Sequence, residues 1–185
     1  MKEQASKIKV TEKHLIEAAK LNPARFAPIY DHYYKQIFLF IFKKVRNEEL
    51  TADITSKVFL KALLNLSKYE DRGFPFSSWL YRIASNEVNM HYRKANKKQE
   101  VELNENDLQT LLDEVSSSST DEQMELVING LNQLPLEQMD LIDLRFFEKR
   151  SFREIGEIIG TTEGNAKIKV YRALDKLKKI ILPKS

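Results

Sequence analysis

Between residues 69 and 94 lie six aromatic side chains: Tyr69, Phe74, Phe76, Trp79, Tyr81 and Tyr92. Among them stand Arg72, Arg82, Arg93 and Lys94, with the amides of Asn86 and Asn89. Rings can stack on unpaired bases while cations follow the phosphates, so this mixture suits single-stranded nucleic acid. Gly73 and Pro75 mark a loop that could shape a pocket for an extruded base. Each ring taken alone is better explained by packing, Trp79 and Phe76 above all.

A second set runs from Thr162 to Lys179. At ~100° per residue, Ala166, Val170, Ala173, Leu174, Leu177 and Ile181 fall within one arc of about 100°. Asn165, Lys169, Arg172, Lys176 and Lys179 fall on nearly the opposite side. One face can bury and the other presents an amide and four cations. Ser151-Phe152-Arg153-Glu154 matches a capping box. Gly160 sits where a left-handed helix cap would go. Short helix, turn at Gly160-Thr161-Thr162 and longer helix make a helix-turn-helix, whose second helix enters a major groove. There Asn165 could pair with adenine and Ile168 could touch a thymine methyl. An ordinary amphipathic helix with a lysine-rich solvent face would look the same.

Covalent chemistry has little to work with. There is no cysteine, which removes thiolates, disulfides and Cys-ligated zinc and fits a reducing compartment. The three histidines, His14, His32 and His91, are far apart and give no metal-ligand spacing. Neither paired carboxylates in a pocket, a nucleophile with its base, nor a phosphate-cradling glycine loop is apparent. No catalyst, metal or cofactor is expected.

The elements that must hold these two sets are helical. Five Gly and five Pro in 185 residues are too few for the turns of an all-β chain. Apolar residues at steps of three and four run through Thr11–Ala19, from Pro23 to Ile41, through Thr51–Leu66 and from Trp79 to Val88. Ser77 is the expected N-cap of that last helix. A second helical set starts near Glu125, with Leu134-Pro135 opening one of its helices. The longest apolar run, Ile37 to Phe42, is far short of the ~20 residues a membrane helix needs. Nothing near Met1 looks like a signal peptide. A cytoplasmic protein with no direct membrane insertion is expected.

Charge divides the chain in three. Residues 1–98 carry 19 Lys+Arg against 10 Asp+Glu, residues 99–144 carry 12 acidic residues and no Lys or Arg, and residues 145–185 carry 11 basic against 5 acidic. Two basic modules flanking an acidic connector suggest two surfaces for a polyanion. Glu100 to Gln123 includes Ser116-Ser117-Ser118-Ser119-Thr120, a composition that cannot offset its ordering entropy. A mobile linker is expected over about 105–121. Within it Leu108, Leu111, Leu112 and Val115 could form a short amphipathic turn. The expected organisation is a helical domain over 10–98, a connector over 99–122 and a helix-turn-helix domain over 123–182.

Both halves resemble one family. Phe26-Ala27-Pro28-Ile29-Tyr30, Ala52-Asp53-Ile54-Thr55-Ser56-Lys57-Val58-Phe59 and Phe76-Ser77-Ser78-Trp79-Leu80-Tyr81-Arg82-Ile83-Ala84-Ser85-Asn86 resemble region 2 of a bacterial sigma factor. Leu134-Pro135, Ser151-Phe152-Arg153-Glu154-Ile155-Gly156 and Gly164 to Leu174 resemble region 4. The size resembles the extracytoplasmic-function (ECF) type. The resemblance implies an all-α fold of two small domains and a role in directing RNA polymerase core to promoters. It implies that the helix of Asp53, Ile54, Ser56, Lys57 and Phe59 docks on the polymerase clamp, with region 4 near the flap. It implies that Arg72, Phe74, Trp79, Arg82, Asn86, Asn89, Arg93 and Lys94 read and open the −10 element. It likewise implies that Thr162, Glu163, Asn165, Lys167, Ile168, Lys169 and Arg172 read the −35 duplex. The acidic connector would thread the polymerase as a phosphate mimic or serve as a spacer. An anti-sigma factor and a monomeric free state are also implied.

The pattern departs from the family in places. Ala52 stands where a carboxylate is common, Ser56 where Gln is, and Ser85 where Arg is. Gly156 stands where Ala is usual, at a propensity cost of ~1 kcal/mol. A stand-alone helix-turn-helix regulator with a helical sensory or dimerisation domain is the alternative. It would bind a palindrome as a dimer without polymerase, and it leaves the aromatic-basic segment and the acidic connector unexplained.

Overall fold

The computed structural model describes residues 2–95, 105–115 and 121–182. Among them are nine α-helices and no strand. The first module holds α1 (Lys2–Leu21), α2 (Ala27–Val45), α3 (Glu48–Asn65) and α4 (Phe76–Ala95). Its boundaries follow from local chemistry. Asn22 accepts a hydrogen bond from the Ala24 N–H at 3.0 Å and starts a 3₁₀ turn, Pro23–Phe26, with proline in its first turn. α2 stops where Arg46 turns left-handed at φ 52°, its N–H donating to the Phe42 carbonyl. Asn47 then caps α3, accepting from the Leu50 N–H at 2.8 Å.

The periodic residues of α2, α3 and α4 supply the interior. Ile37, Phe40 and Ile41 meet Val58, Phe59 and Ala62, with Phe76, Leu80, Tyr81, Ala84 and Val88 behind them, all at most 3% exposed. Each of the larger apolar side chains among them contributes about 1.5–3 kcal/mol by leaving water. Edge-on ring pairs, Tyr30 with Phe59 and Phe40 with Tyr81, fix the orientation of the helices. The expected N-cap at Ser77 is not there. α4 already begins at Phe76, and the buried Ser77 hydroxyl accepts from the Arg150 guanidinium at 3.3 Å.

The second module holds α5 (Glu105–Val115), α6 (Asp121–Asn132), α7 (Leu136–Ile142), a π-helical turn (Asp143–Phe147), α8 (Phe152–Ile159) and α9 (Glu163–Ile181). The segment expected as a mobile linker thus contains a helix. Leu108, Leu111 and Leu112 are buried, and α5 lies against α6 and the π-helical turn. The serine run and residues 96–104 lie outside the described residues. α7 begins just after Pro135, whose own backbone is extended.

The helix-turn-helix is built as its sequence dictates. The Ser151 hydroxyl accepts from the Glu154 N–H at 3.2 Å, and the Glu154 carboxylate accepts from the Ser151 N–H at 2.9 Å. Hydrogen bonds from Ser151 and the neighbouring Arg150 outweigh partial burial and hold the Glu154 carboxyl below its usual pKa. Gly160 ends α8 at φ 72°, the region glycine enters without strain. Gly156 has a different reason. A Cβ there would stand 2.8 Å from the Thr161 carbonyl oxygen, so the missing methyl lets the turn fold back onto α8.

Candidate nucleic-acid interface

α9 divides as the angular pattern requires. Ala166, Val170, Ala173, Leu174, Leu177 and Ile181 are all buried. Asn165, Lys167, Ile168, Lys169, Arg172, Lys176 and Lys179 are exposed, Ile168 by 51%. The Thr162 side chain accepts from the Asn165 N–H at 3.3 Å, so its oxygen is engaged as the N-cap. Glu163 follows in the first turn, where the helix dipole favours an anion. The helix offers a cationic, partly apolar face leading with an amide.

The aromatic-basic segment is less open. Phe76 is fully buried and Tyr69 and Trp79 are half-buried against it. Lys68, Tyr69, Arg72, Phe74, Pro75, Ser78, Trp79 and Arg82 line a hollow of about 110 Å³, which Glu157 of α8 also borders. Phe74 carries the Arg153 guanidinium 4.9 Å above its ring. Arg72, Arg82, Asn86, Arg93 and Lys94 are exposed. Asn89 is not. It is 8% exposed and donates to Asp140 at 3.1 Å, so here it holds two modules together instead of facing DNA.

On α3 the expected docking residues split. Asp53, Ser56 and Lys57 are exposed, Asp53 and Lys57 pairing at 2.5 Å. Ile54 and Phe59 are each 3% exposed and belong to the core. The helical period places Leu60 and Leu64 beside Asp53, Ser56 and Lys57. They are 56% and 70% exposed, an apolar face the motif did not point to.

The structure adds a seam between the modules. Lys44, at the end of α2, is fully buried, 2.9 Å from Asp140 and 2.9 Å from Asp143. Lys43 reaches Glu148 at 3.3 Å and Asp143 at 4.0 Å. The Tyr81 hydroxyl donates to Glu148, and Arg150 lies 4.7 Å above the Tyr81 ring. Burial opposes the Lys44 ammonium, yet its two carboxylates keep its pKa above the usual lysine value. Three carboxylates face two ammonium groups, so one carboxyl is in surplus. Asp143 is the deepest, and burial pushes it up to about 6 against the pull of Lys44 and Lys43. Spacing carried no sign of this seam, because Asp140 and Asp143 lie in the acidic stretch, Glu148 lies just beyond it, and the lysines end an apolar helix.

The seam brings the two recognition surfaces face to face. Arg82, Asn86 and Arg93 of α4 and Lys169 and Arg172 of α9 line one cleft of about 510 Å³. Ser85, where the family pattern has Arg, is 8% exposed in that cleft. Among the described residues no helix is long and apolar enough to cross a membrane, and no cluster of three or more His, Asp or Glu could hold a metal ion.

Two all-helical modules, one ending in a helix-turn-helix and the other presenting aromatic and basic side chains, have the features of a nucleic-acid-binding protein. Residues 29–98 match the family description "Sigma-70 region 2" and residues 130–179 match "Sigma-70, region 4". The chain is 30% identical over 175 residues to the ECF RNA polymerase sigma factor BldN of Streptomyces coelicolor, covering 90% of this chain and 64% of that one. It is 27% identical over 180 residues to the ECF RNA polymerase sigma factor SigW of Bacillus subtilis, covering 91% and 95%. Its fold matches that of the sigma factor RpoE of Bartonella quintana, solved with the anti-sigma factor NepR, at TM-score 0.60 and 19% identity over 86% and 98% of the chains. The chain belongs to the sigma-70 family and is an RNA polymerase sigma factor of the ECF group.

Proposed function

We propose that this sigma factor divides promoter recognition between its two modules and must open to do so. α9 reads the −35 duplex with Asn165, Lys167, Ile168, Lys169 and Arg172, its N-terminus set by Thr162 and Glu163. The 69–94 segment reads and opens the −10 element, with Arg72, Phe74 and Trp79 around the hollow and Arg82, Asn86, Arg93 and Lys94 along the strand. Asn89 joins them only after its bond to Asp140 is released. The exposed face of α3 docks on the polymerase clamp through Asp53, Ser56, Lys57, Leu60 and Leu64. The chain works beside polymerase in the cell interior and itself catalyses nothing. An anti-sigma factor, the kind of partner RpoE is solved with, would stabilise the closed arrangement.

The face-to-face placement of Arg82 and Asn86 against Lys169 and Arg172 carries this reading. A cleft that small admits no duplex, so the two basic surfaces serve a promoter only when separated. Run-off transcription with purified polymerase core tests it. Promoter-specific transcripts should appear only when the chain is added, and a covalent tether across the seam should suppress them. A tethered chain as active as the free one would contradict the opening step.

A further inference from the structure

We propose that the cleft between α4 and the α7–α9 face is a binding site for a nucleoside polyphosphate, which bridges the modules and holds the factor closed. Four cations converge there, Arg82 and Arg93 from one module and Lys169 and Arg172 from the other. Among the described residues none of the four has a carboxylate partner. Of the two carboxylates in the cleft wall, Asp140 is committed to Lys44 and Asn89, leaving Glu137 alone against them. Like charges gathered in a small space repel, and a multiply charged anion relieves that repulsion.

The rest of the lining favours a nucleoside on that anion. The Ser85 hydroxyl and the side-chain oxygen of Asn89 are buried there without hydrogen-bond partners, in residues only 8% exposed. A hydroxyl able to donate and an amide oxygen able to accept match the polar edge of a base or sugar. Leu141, Ile158 and Ile159 form an apolar wall against which a ring can lie. The volume, about 510 Å³, falls within the range of small-molecule sites.

A ligand there contacts both modules and covers Arg82, Lys169 and Arg172, so it competes with promoter DNA. That competition rests on the proposed promoter reading, whereas binding itself does not.

Calorimetry on the full chain, with ATP, GTP and tripolyphosphate as probes and no DNA or polymerase present, separates the two. One nucleotide per chain should bind saturably below about 1 mM, and tripolyphosphate about tenfold or more weakly, the bare anion losing the apolar wall. Arg82→Ala with Arg172→Ala should weaken nucleotide binding about a hundredfold, each lost charged contact being worth roughly tenfold. Ile159→Trp, which fills the cleft without changing charge, should abolish it. Arg25→Ala with Lys35→Ala removes equal charge from exposed positions elsewhere and should change nothing. Absent saturation, equal binding of tripolyphosphate, or equal losses in the cleft and distant variants would each overturn the proposal. If nucleotide binds but fails to displace promoter DNA, the competition falls and the site stands.

Discussion

The ammonium nitrogen of Lys44 stands 2.9 Å from Oδ2 of Asp143, and neither side chain is more than 1% exposed. Lys44 belongs to the first module and Asp143 to the second, so this buried pair is also the tie between them. An ion pair of this kind is weak evidence for net stability, because desolvation offsets much of the attraction. Removing one partner is another matter, since the survivors stay buried and uncompensated.

Lys44→Met should therefore destabilise the closed arrangement by ~3–5 kcal/mol, and Lys44→Met with Asp140→Leu and Asp143→Leu should restore most of it. Small-angle scattering checks the first through an enlarged radius of gyration, and urea unfolding checks both. A single variant as compact as the parent would show that the seam is held elsewhere.

The surplus carboxyl gives the seam a pH dependence. Asp143 titrates near 6 in the closed form, facing Lys43, Lys44, Asp140 and Glu148. The closed form thus binds a proton that the open or unfolded chain binds only near the usual aspartate range. Stability should rise as pH falls through 6 and level off near 4, by at most ~1.4 kcal/mol per pH unit. The lowered Glu154 carboxyl acts in the opposite sense, only below the usual glutamate range. Urea midpoints between pH 7.5 and 5 would rise in the parent and stay flat in Asp143→Asn; matching slopes would remove Asp143 from the account.

The α3 face separates docking from folding. Leu60→Asp with Leu64→Asp leaves the core intact and should weaken polymerase-core association at least tenfold without moving Tm by more than a few degrees. Phe59→Ala empties a core position and should cost ~3–5 kcal/mol of stability. Pull-down with core polymerase and thermal unfolding read the two apart, and a docking loss confined to Phe59→Ala would favour a purely structural role for the helix.

Much of this molecule was legible in its sequence where one helix determines its own outcome. The buried arc of α9, the capping box at Ser151 and the left-handed Gly160 are local consequences of spacing. The burial of Ile54 and Phe59 was not legible, because a motif marks a helix without saying which face is turned inward. Leu108, Leu111 and Leu112 lay in a composition that read as linker, although three leucines sufficed to anchor α5. The seam was illegible because Lys44 and Asp143 are far apart in sequence, and their pairing depends on how whole modules dock. Gly156 was read as a propensity cost, while the turn beyond it supplies its reason.

Gly156→Ala puts those two effects in competition. Helix propensity favours alanine by ~1 kcal/mol. The backbone oxygen of Thr161, 2.8 Å from the added methyl, cannot swing aside as a side chain could. The clash should win, giving a lower Tm in thermal unfolding and weaker binding of a −35 duplex by fluorescence anisotropy. A rise in Tm would mean that the turn relaxes freely.

The exposed cations of α9 set the salt response of duplex binding. Lys169→Ala with Arg172→Ala should reduce the slope of log affinity against log salt by about one unit per lost phosphate contact. Fluorescence anisotropy with a −35 duplex over a salt series measures it. A slope like the parent's would place the phosphates elsewhere.

Because Asp140 and Asp143 lie on α7 and the turn after it, the fastening between the halves does not depend on the stretch that joins them in sequence. Entropy charges little for a longer tether, about 0.6 kcal/mol for each doubling. Lengthening or rewriting that stretch should therefore leave the pairing of the two halves nearly as strong as before.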